Sequence, residues 1–406
     1  LLGDPGRVHL PSRSGQRVPA LDQSARCRTG VDGLAGAGLL IPQIDLKRQH
    51  AALGADLEAA VARVLASCRF ILGPEVAALE AELATLCGVS HGIGVNSGTD
   101  ALVLALKAVG VRPGDEVITS SFSFVASGSA VLMVGARPVF VDIVPSTYNL
   151  DPALVEKAVT PRTRAIVAVH LYGQPAAMDA IGDIARARRI AIVEDAAQAV
   201  GATYAGRPAG AWSDVACLSF YPTKNLGGCG DGGMVLTARD DIAQAMRRLR
   251  DHGAPRKYEH VELGYSSRLD EMQAALLRVK LRHLPAWNET RRSIAARYRE
   301  LLRGAPLVLA EEVAPARHIY HQFTVRTPKR DALVSALAEA GIGTAVHYPI
   351  PIPAQPMFAM PDTDRAFPHA ARAAAEVLSL PCFPELSEEE VQTVAAAVRA
   401  ALLRIA

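Results

Sequence analysis

Six short apolar runs, at residues 91–96, 116–119, 138–142, 165–172, 191–194 and 215–220, constrain this chain more than any other feature. Each is continuous rather than alternating, the signature of a strand buried on both faces. Between them lie helical patterns, at 74–87 behind a leading proline, at 101–109 and at 126–134. Strands alternating with helices predict a largely parallel sheet covered on both sides, an α/β fold. The C-terminal part has a different rhythm: helix 293–302, strand 319–325, helix 330–340, strand 344–348, then two helices, a smaller α+β domain. At 406 residues the chain has room for both. Residues 1–40 mix Pro, Gly, Ser and Arg without a period and read as disordered, or as an extension outside the fold. The expected division is 1–40, then an arm and large domain over 41–290, then a small domain over 291–406.

Composition narrows the function classes. Forty-three basic against 41 acidic residues leave a net charge of +2, spread without clusters, so no nucleic-acid surface is expected. No apolar run approaches the ~18 residues of a membrane span. The six cysteines show neither metal-ligand spacing nor a disulfide framework, which reads as a cytoplasmic protein with reduced thiols and no metal site. Cys229 is expected to pack in its Gly-rich loop, not to act as a nucleophile.

Chemistry concentrates at strand ends. Lys224 lies in Ser219-Phe-Tyr-Pro-Thr-Lys-Asn-Leu-Gly-Gly, where a lysine can hold a carbonyl cofactor as a Schiff base. Asp195, ending Val-Glu-Asp, can keep a ring nitrogen protonated. Those are the two protein groups pyridoxal phosphate (PLP) requires, since the cofactor itself is the electron sink. Asn96-Ser-Gly-Thr-Asp100 joins a strand to a helix, so its free N–H groups form an anion cup, with Gly98 permitting close approach and Ser97 or Thr99 adding a hydroxyl. Alone, that segment reads rather as an ordinary Ser/Thr cap. Ser219 is placed to add a phosphate donor. Phe124 can stack on a flat ring, although an aromatic there is more often core. Gln198 can reach a ring hydroxyl, and a freed Lys224 amine is a mobile base.

Six ordered stretches resemble the DegT/DnrJ/EryC1/StrS aminotransferases: those ending at Leu102, Ser127, Gln174, Gln198, Leu226 and Glu271. The resemblance begins near Ile41 and runs to the C-terminus. It implies a fold-type I PLP-dependent transferase with a mostly parallel seven-stranded sheet. It also implies a homodimer that moves an amino group from an amino acid, glutamate, to a nucleotide-linked keto sugar, most similarly a dTDP-3-oxo-6-deoxyhexose. Amination at C4, or of a cyclitol ketone, stays open, as does a non-catalytic regulatory member. A sugar dehydratase is opposed by Lys224, since relatives of that type carry His, and a dinucleotide-binding protein is opposed by the glycines of 227–233, which follow the lysine and form no strand–GxGxxG–helix unit. In the family's pattern Lys224 is the Schiff-base lysine, Asp195 the ring-nitrogen partner and Gln198 the ring-hydroxyl ligand. Gly98, Thr99 and Ser219 are phosphate contacts and Phe124 the stacking ring. Two positions depart. Ser266 stands where the family places an Asn that reaches the neighbouring subunit's phosphate, and Pro353 stands where relatives carry His beside the sugar pocket.

Overall fold

The computed structural model describes residues 41–358 and 360–405, and the expectation for residues 1–40 lies outside them. Two helices come first. α1 (Leu46–Ser67) starts on the Asp45 carboxylate, which accepts the Lys47 and Arg48 N–H groups; α2 (Pro74–Leu86) follows. The sheet is then laid down by β1 (His91–Val95), α3 (Gly98–Ala108), β2 (Glu116–Ser120), α4 (Ala126–Met133), β3 (Arg137–Val141), α5 (Pro152–Ala158), β4 (Thr163–Val169), α6 (Met178–Arg188) and β5 (Ala191–Asp195). Two short strands, β6 (Thr203–Tyr204) and β7 (Arg207–Pro208), precede β8 (Val215–Ser219) and β9 (Gly233–Thr237). Among the described residues, seven strands form one sheet in the order β1-β9-β8-β5-β4-β2-β3.

The expected largely parallel sheet is present, with one addition. Strands β3, β2, β4, β5 and β8 pair in parallel, whereas β9 runs antiparallel to both β8 and β1. The glycines of 227–233 reverse the chain and set Gly233 opposite Ser219. Side chains alternate between two dry faces. Val117, Val167 and Val193 pack with α3, while Ile118, Ile166 and Ile192 pack with Ile181 and Ala185 of α6. Burial on both sides is why these strands read as unbroken apolar runs.

Beyond the sheet come α7 (Asp240–Leu249), α8 (Glu271–Leu281) and α9 (Leu284–Leu301), and position 290 lies inside α9. A second core forms around β10 (Val308–Leu309), β12 (Phe323–Arg326) and β13 (Val377–Leu380), with β11 (Ala316–Arg317) pairing instead with β6. It is covered by α9, α10 (Arg330–Glu339) and α13 (Glu388–Ile405), while α11 (Thr363–Ala366) and α12 (Pro368–Glu376) precede β13. Here two expectations fail. Residues 344–348 are no strand: only Ala345 makes a bridge, to Ser379. The strand is β13, where helix was expected, because the alanine-rich α12 runs into it without a turn residue between them.

A tertiary cap joins the N-terminal helices to the body. α2 begins at Gly73 with no side-chain cap of its own. The buried Glu271 carboxylate supplies one, accepting the N–H groups of Gly73, Glu75 and Val76 at 2.8–2.9 Å.

Candidate active site

In an open α/β sheet, the crevice outside the carboxyl ends of the strands collects side chains from several elements. Here that edge carries Asp195 from β5 and Ser219 from β8, with Lys224 in the loop beyond. Lys224 is half-buried, and Nζ has no hydrogen-bond or ion-pair partner among the described residues. Desolvation pulls its pKa down to about 8, against the opposing pull of Asp195. A lysine held in this way is a nucleophile near neutral pH.

The two acids ending β5 face opposite ways. Glu194 points into protein, accepting His170 Nε2, the N–H groups of Gly210 and Trp212, and Ser213 Oγ. Burial would raise its pKa, but those donors hold it below the usual carboxylate range. Asp195 points to the crevice, where Ser127 Oγ donates to its Oδ2 at 2.7 Å and the Ala197 N–H reaches Oδ1 at 3.3 Å. Gln198 is clamped too: Oε1 accepts the Tyr172 N–H at 2.6 Å, and Nε2 donates to Tyr348 Oη at 3.0 Å. Tyr172 and Gly173 turn through positive φ (59° and 101°), which sends the Tyr172 hydroxyl to the His347 carbonyl.

The anion cup is assembled from three strands. Ser97 caps α3 by accepting the Asp100 N–H at 3.0 Å, and Gly98 opens the helix. A Cβ on Gly98 would lie 2.7 Å from Ser219 Cβ, and one on Gly233 would lie 2.5 Å from the Ser97 carbonyl. Only glycines let β8 and β9 approach the helix N-terminus so closely. Thr99 is half-buried in the first turn, and its hydroxyl makes no hydrogen bond among the described residues. Phe124 is not core: it is 53% exposed, with its ring 6.0 Å from that of Tyr348.

Sequence reasoning thus named seven residues that the fold gathers at one sheet edge. Ser266 stands apart, exposed, its hydroxyl accepting from Arg268 Nη2 at 2.8 Å. Its neighbour Ser267 is the one tied to the cup, donating to Asp100 Oδ2 at 2.6 Å and accepting the Asn96 N–H. Pro353 is buried in a short turn whose Ile352 N–H binds the Ser121 carbonyl. Ser127, Tyr348 and His321 carry no role in the sequence reading; their partners are 68, 150 and 96 positions away. Cys229 is exposed, not packed as expected, and its N–H donates to Gln273 Oε1 at 2.8 Å. No group of residues able to hold a metal ion occurs among the described residues, and none of their helices is long and apolar enough to cross a membrane.

A model of the DegT/DnrJ/EryC1/StrS aminotransferase family matches residues 52–399. The chain belongs to this family. It is 50% identical over 358 residues to a pleiotropic regulatory protein of Geobacillus stearothermophilus, covering 87% of this chain and 96% of that one. It is 49% identical over 361 residues to a dTDP-3-amino-3,4,6-trideoxy-alpha-D-glucose transaminase of Streptomyces venezuelae, covering 88% and 95%. Among solved structures, S. venezuelae DesV in complex with a ketimine intermediate superposes with a TM-score of 0.87 at 48% identity, covering 89% and 98%. This DegT/DnrJ/EryC1/StrS member is a PLP-dependent aminotransferase, as its resemblance implied. The residues present fit that cofactor. A partnerless, partly desolvated lysine, a carboxylate oriented by Ser127, a glycine-lined helix N-terminus and an exposed aromatic ring share one edge of the sheet.

Proposed function

We propose that this enzyme transfers an amino group from glutamate to a nucleotide-linked keto sugar, a dTDP-3-oxo-6-deoxyhexose, as a cytoplasmic homodimer. The bound cofactor supplies an electron sink for the carbon whose bond is rearranged. Lys224 would tether it, and the free Lys224 amine would be the base that takes up and returns a proton beside it. Its pKa of about 8 suits both roles, because a base poised near the working pH can take up and return a proton. Asp195 would hold the ring nitrogen protonated and Gln198 would bind the ring hydroxyl. Gly98, Thr99 and Ser219 would cradle the phosphate, and Phe124 would cover the ring face. Ser266 would be the residue offered to the neighbouring subunit's phosphate, with a hydroxyl shorter than the family's Asn.

The observation that carries this reading is the Lys224 amine, desolvated and without a partner, within electrostatic reach of Asp195. The purified protein is expected to be yellow, with borohydride fixing a pyridoxyl group on Lys224. Glutamate should shift its absorbance to that of the amine form of the cofactor. A panel of aminated dTDP- and UDP-sugars, run in the reverse direction, identifies the sugar. A second reading, a regulatory protein without turnover, is favoured by the name of the Geobacillus relative. It predicts a protein whose cofactor ignores every amino donor, and Lys224 together with Asp195 and Gln198 weighs against it.

A further inference from the structure

The hydroxyl of Ser127 leaves its own helix. Ser127 is the second residue of α4, and a serine within a helix ordinarily turns its Oγ back to a carbonyl of the preceding turn. Here only its backbone N–H does so, reaching the Phe124 carbonyl at 3.3 Å. Its Oγ instead donates at 2.7 Å to Oδ2 of Asp195, 68 positions on at the end of β5. Among the described residues this is the one side-chain hydrogen bond of Asp195, whose other partner is the Ala197 N–H, 3.3 Å from Oδ1. A carboxylate oxygen can only accept, so Ser127 spends its single hydrogen on Oδ2 and is the acceptor in its 3.4 Å contact with Ser123 Oγ. Ser123, Ser127 and Asp195 are all buried.

The helix that carries Ser127 is itself wedged. A Cβ on Gly128 would lie 2.9 Å from Ile352 Cγ2, 3.0 Å from Phe358 Cζ and 3.1 Å from Phe140 Cε1, so α4 has no room to shift towards them. The segment leading into α4 also carries Phe124, exposed beside Tyr348. Residues 123–127 thus present a ring to the crevice and a hydroxyl to the acid within it. Each oxygen of that acid has two lone pairs, and the two hydrogen bonds take one from each, which leaves one on each for a donor in the crevice.

We propose that Ser127 is the positioning residue of Asp195: its hydroxyl locks the rotation of the carboxylate and so fixes the direction from which that acid meets a protonated ring nitrogen. This rests on Asp195 being the ring-nitrogen partner. The hydroxyl-to-carboxylate bond is short and charge-assisted, whereas the Ala197 N–H alone holds the group by one long contact. Ser127 itself stays neutral and takes no proton; it acts only through Asp195.

The test uses full-length protein loaded with PLP that carries 15N in its ring. The ring-nitrogen signal is followed against pH in the parent and in Ser127→Ala, Ser127→Val and Ser127→Thr. The parent is expected to hold a protonated ring nitrogen at neutral pH. Without the hydroxyl the carboxylate turns away for part of the time, so the midpoint for loss of that proton should fall by about one unit, a tenfold change, in Ser127→Ala and Ser127→Val. Ser127→Thr has the shape of the valine variant but keeps the hydroxyl, and should stay at the parent's midpoint. Lys224, Cys217 and Tyr348, the titratable groups that feel the charge of Asp195, are the same in all four proteins. Crystal structures of the cofactor-free proteins should show the Asp195 carboxylate rotated in Ser127→Val and unmoved in Ser127→Thr. A parent whose ring nitrogen carries no proton overturns the Asp195 reading itself. A protonated parent whose midpoint is kept in Ser127→Ala and Ser127→Val, or lost equally in Ser127→Thr, overturns the role of Ser127 alone. If the larger side chains do not fold, Ser127→Ala decides, by its midpoint and by the orientation of Asp195.

Discussion

Replacing Gly98 by Ala tests the anion cup with one methyl group. The added Cβ would sit 2.7 Å from Ser219 Cβ, 3.1 Å from its Oγ and 3.3 Å from its Cα. Carbon atoms pack at roughly 3.5–4.0 Å, so the overlap approaches 1 Å. Ser219 cannot simply retreat, because β8 is paired with β9 through Gly233, and Gly233 itself abuts Ser97. Overpacking of this kind costs about 1–3 kcal/mol, offset by at most about 1 kcal/mol of helix propensity gained on replacing glycine. Global stability should therefore fall by no more than about 3 kcal/mol, read as a lower urea midpoint. The larger effect falls on cofactor binding. Moving Ser219 Oγ off a phosphate oxygen removes a hydrogen bond to a charged group, about 1.5–3 kcal/mol, which weakens PLP binding by about 10- to 100-fold. Pyridoxal, which lacks the phosphate, is the control and should bind almost unchanged. Ser219→Gly in the Gly98→Ala background removes the clashing Cβ and should restore the urea midpoint without restoring affinity. If Gly98→Ala binds PLP and pyridoxal like the parent, the phosphate does not sit between Gly98 and Ser219, and the reasoning fails.

Other outcomes follow from the same geometry. In the cofactor-free protein, Lys224 should react with PLP with a midpoint near pH 8, where an ordinary lysine would be only about 0.3% unprotonated; a midpoint above about 10 would refute the desolvation argument. Glu271→Ala strips the cap from three N–H groups of α2 and should cost about 2–4 kcal/mol in urea unfolding; a loss under about 0.5 kcal/mol would mean that α2 is capped by other means. Burial pushes His347 down to about 4 and His318 to about 3. The unfolded chain takes up those protons near pH 6.5 while the folded one does not, so stability should fall as pH drops from about 6.5 towards 4, by up to about 3 kcal/mol per ring. A flat stability profile across that window would show that neither ring is held neutral. Ser266→Asn restores the family's residue and should tighten PLP binding in the proposed dimer, with equal affinity counting against a contact across the interface.

Local pattern determined much of this enzyme. The parallel strands were legible because burial on both faces leaves unbroken apolar runs, and Lys224 and Asp195 were legible because each sits where a strand ends and its loop begins. Gly98 and Ser219 could be named for the same reason. The tertiary structure decided what depends on partners far along the chain. Whether Phe124 is core or exposed, which of Glu194 and Asp195 faces the crevice, and that Tyr348 holds Gln198 all follow from packing between elements. So do the cap that Glu271 places on α2 and the pairing of His321 Nδ1 with Asn225 Oδ1. β13 and the reversed β9 escaped because each continues a segment with another signal, the alanine-rich α12 before β13 and the glycines of 227–233 before β9. An apolar run records the environment of one residue, whereas a hydrogen-bond partner 96 positions away leaves no trace in that run.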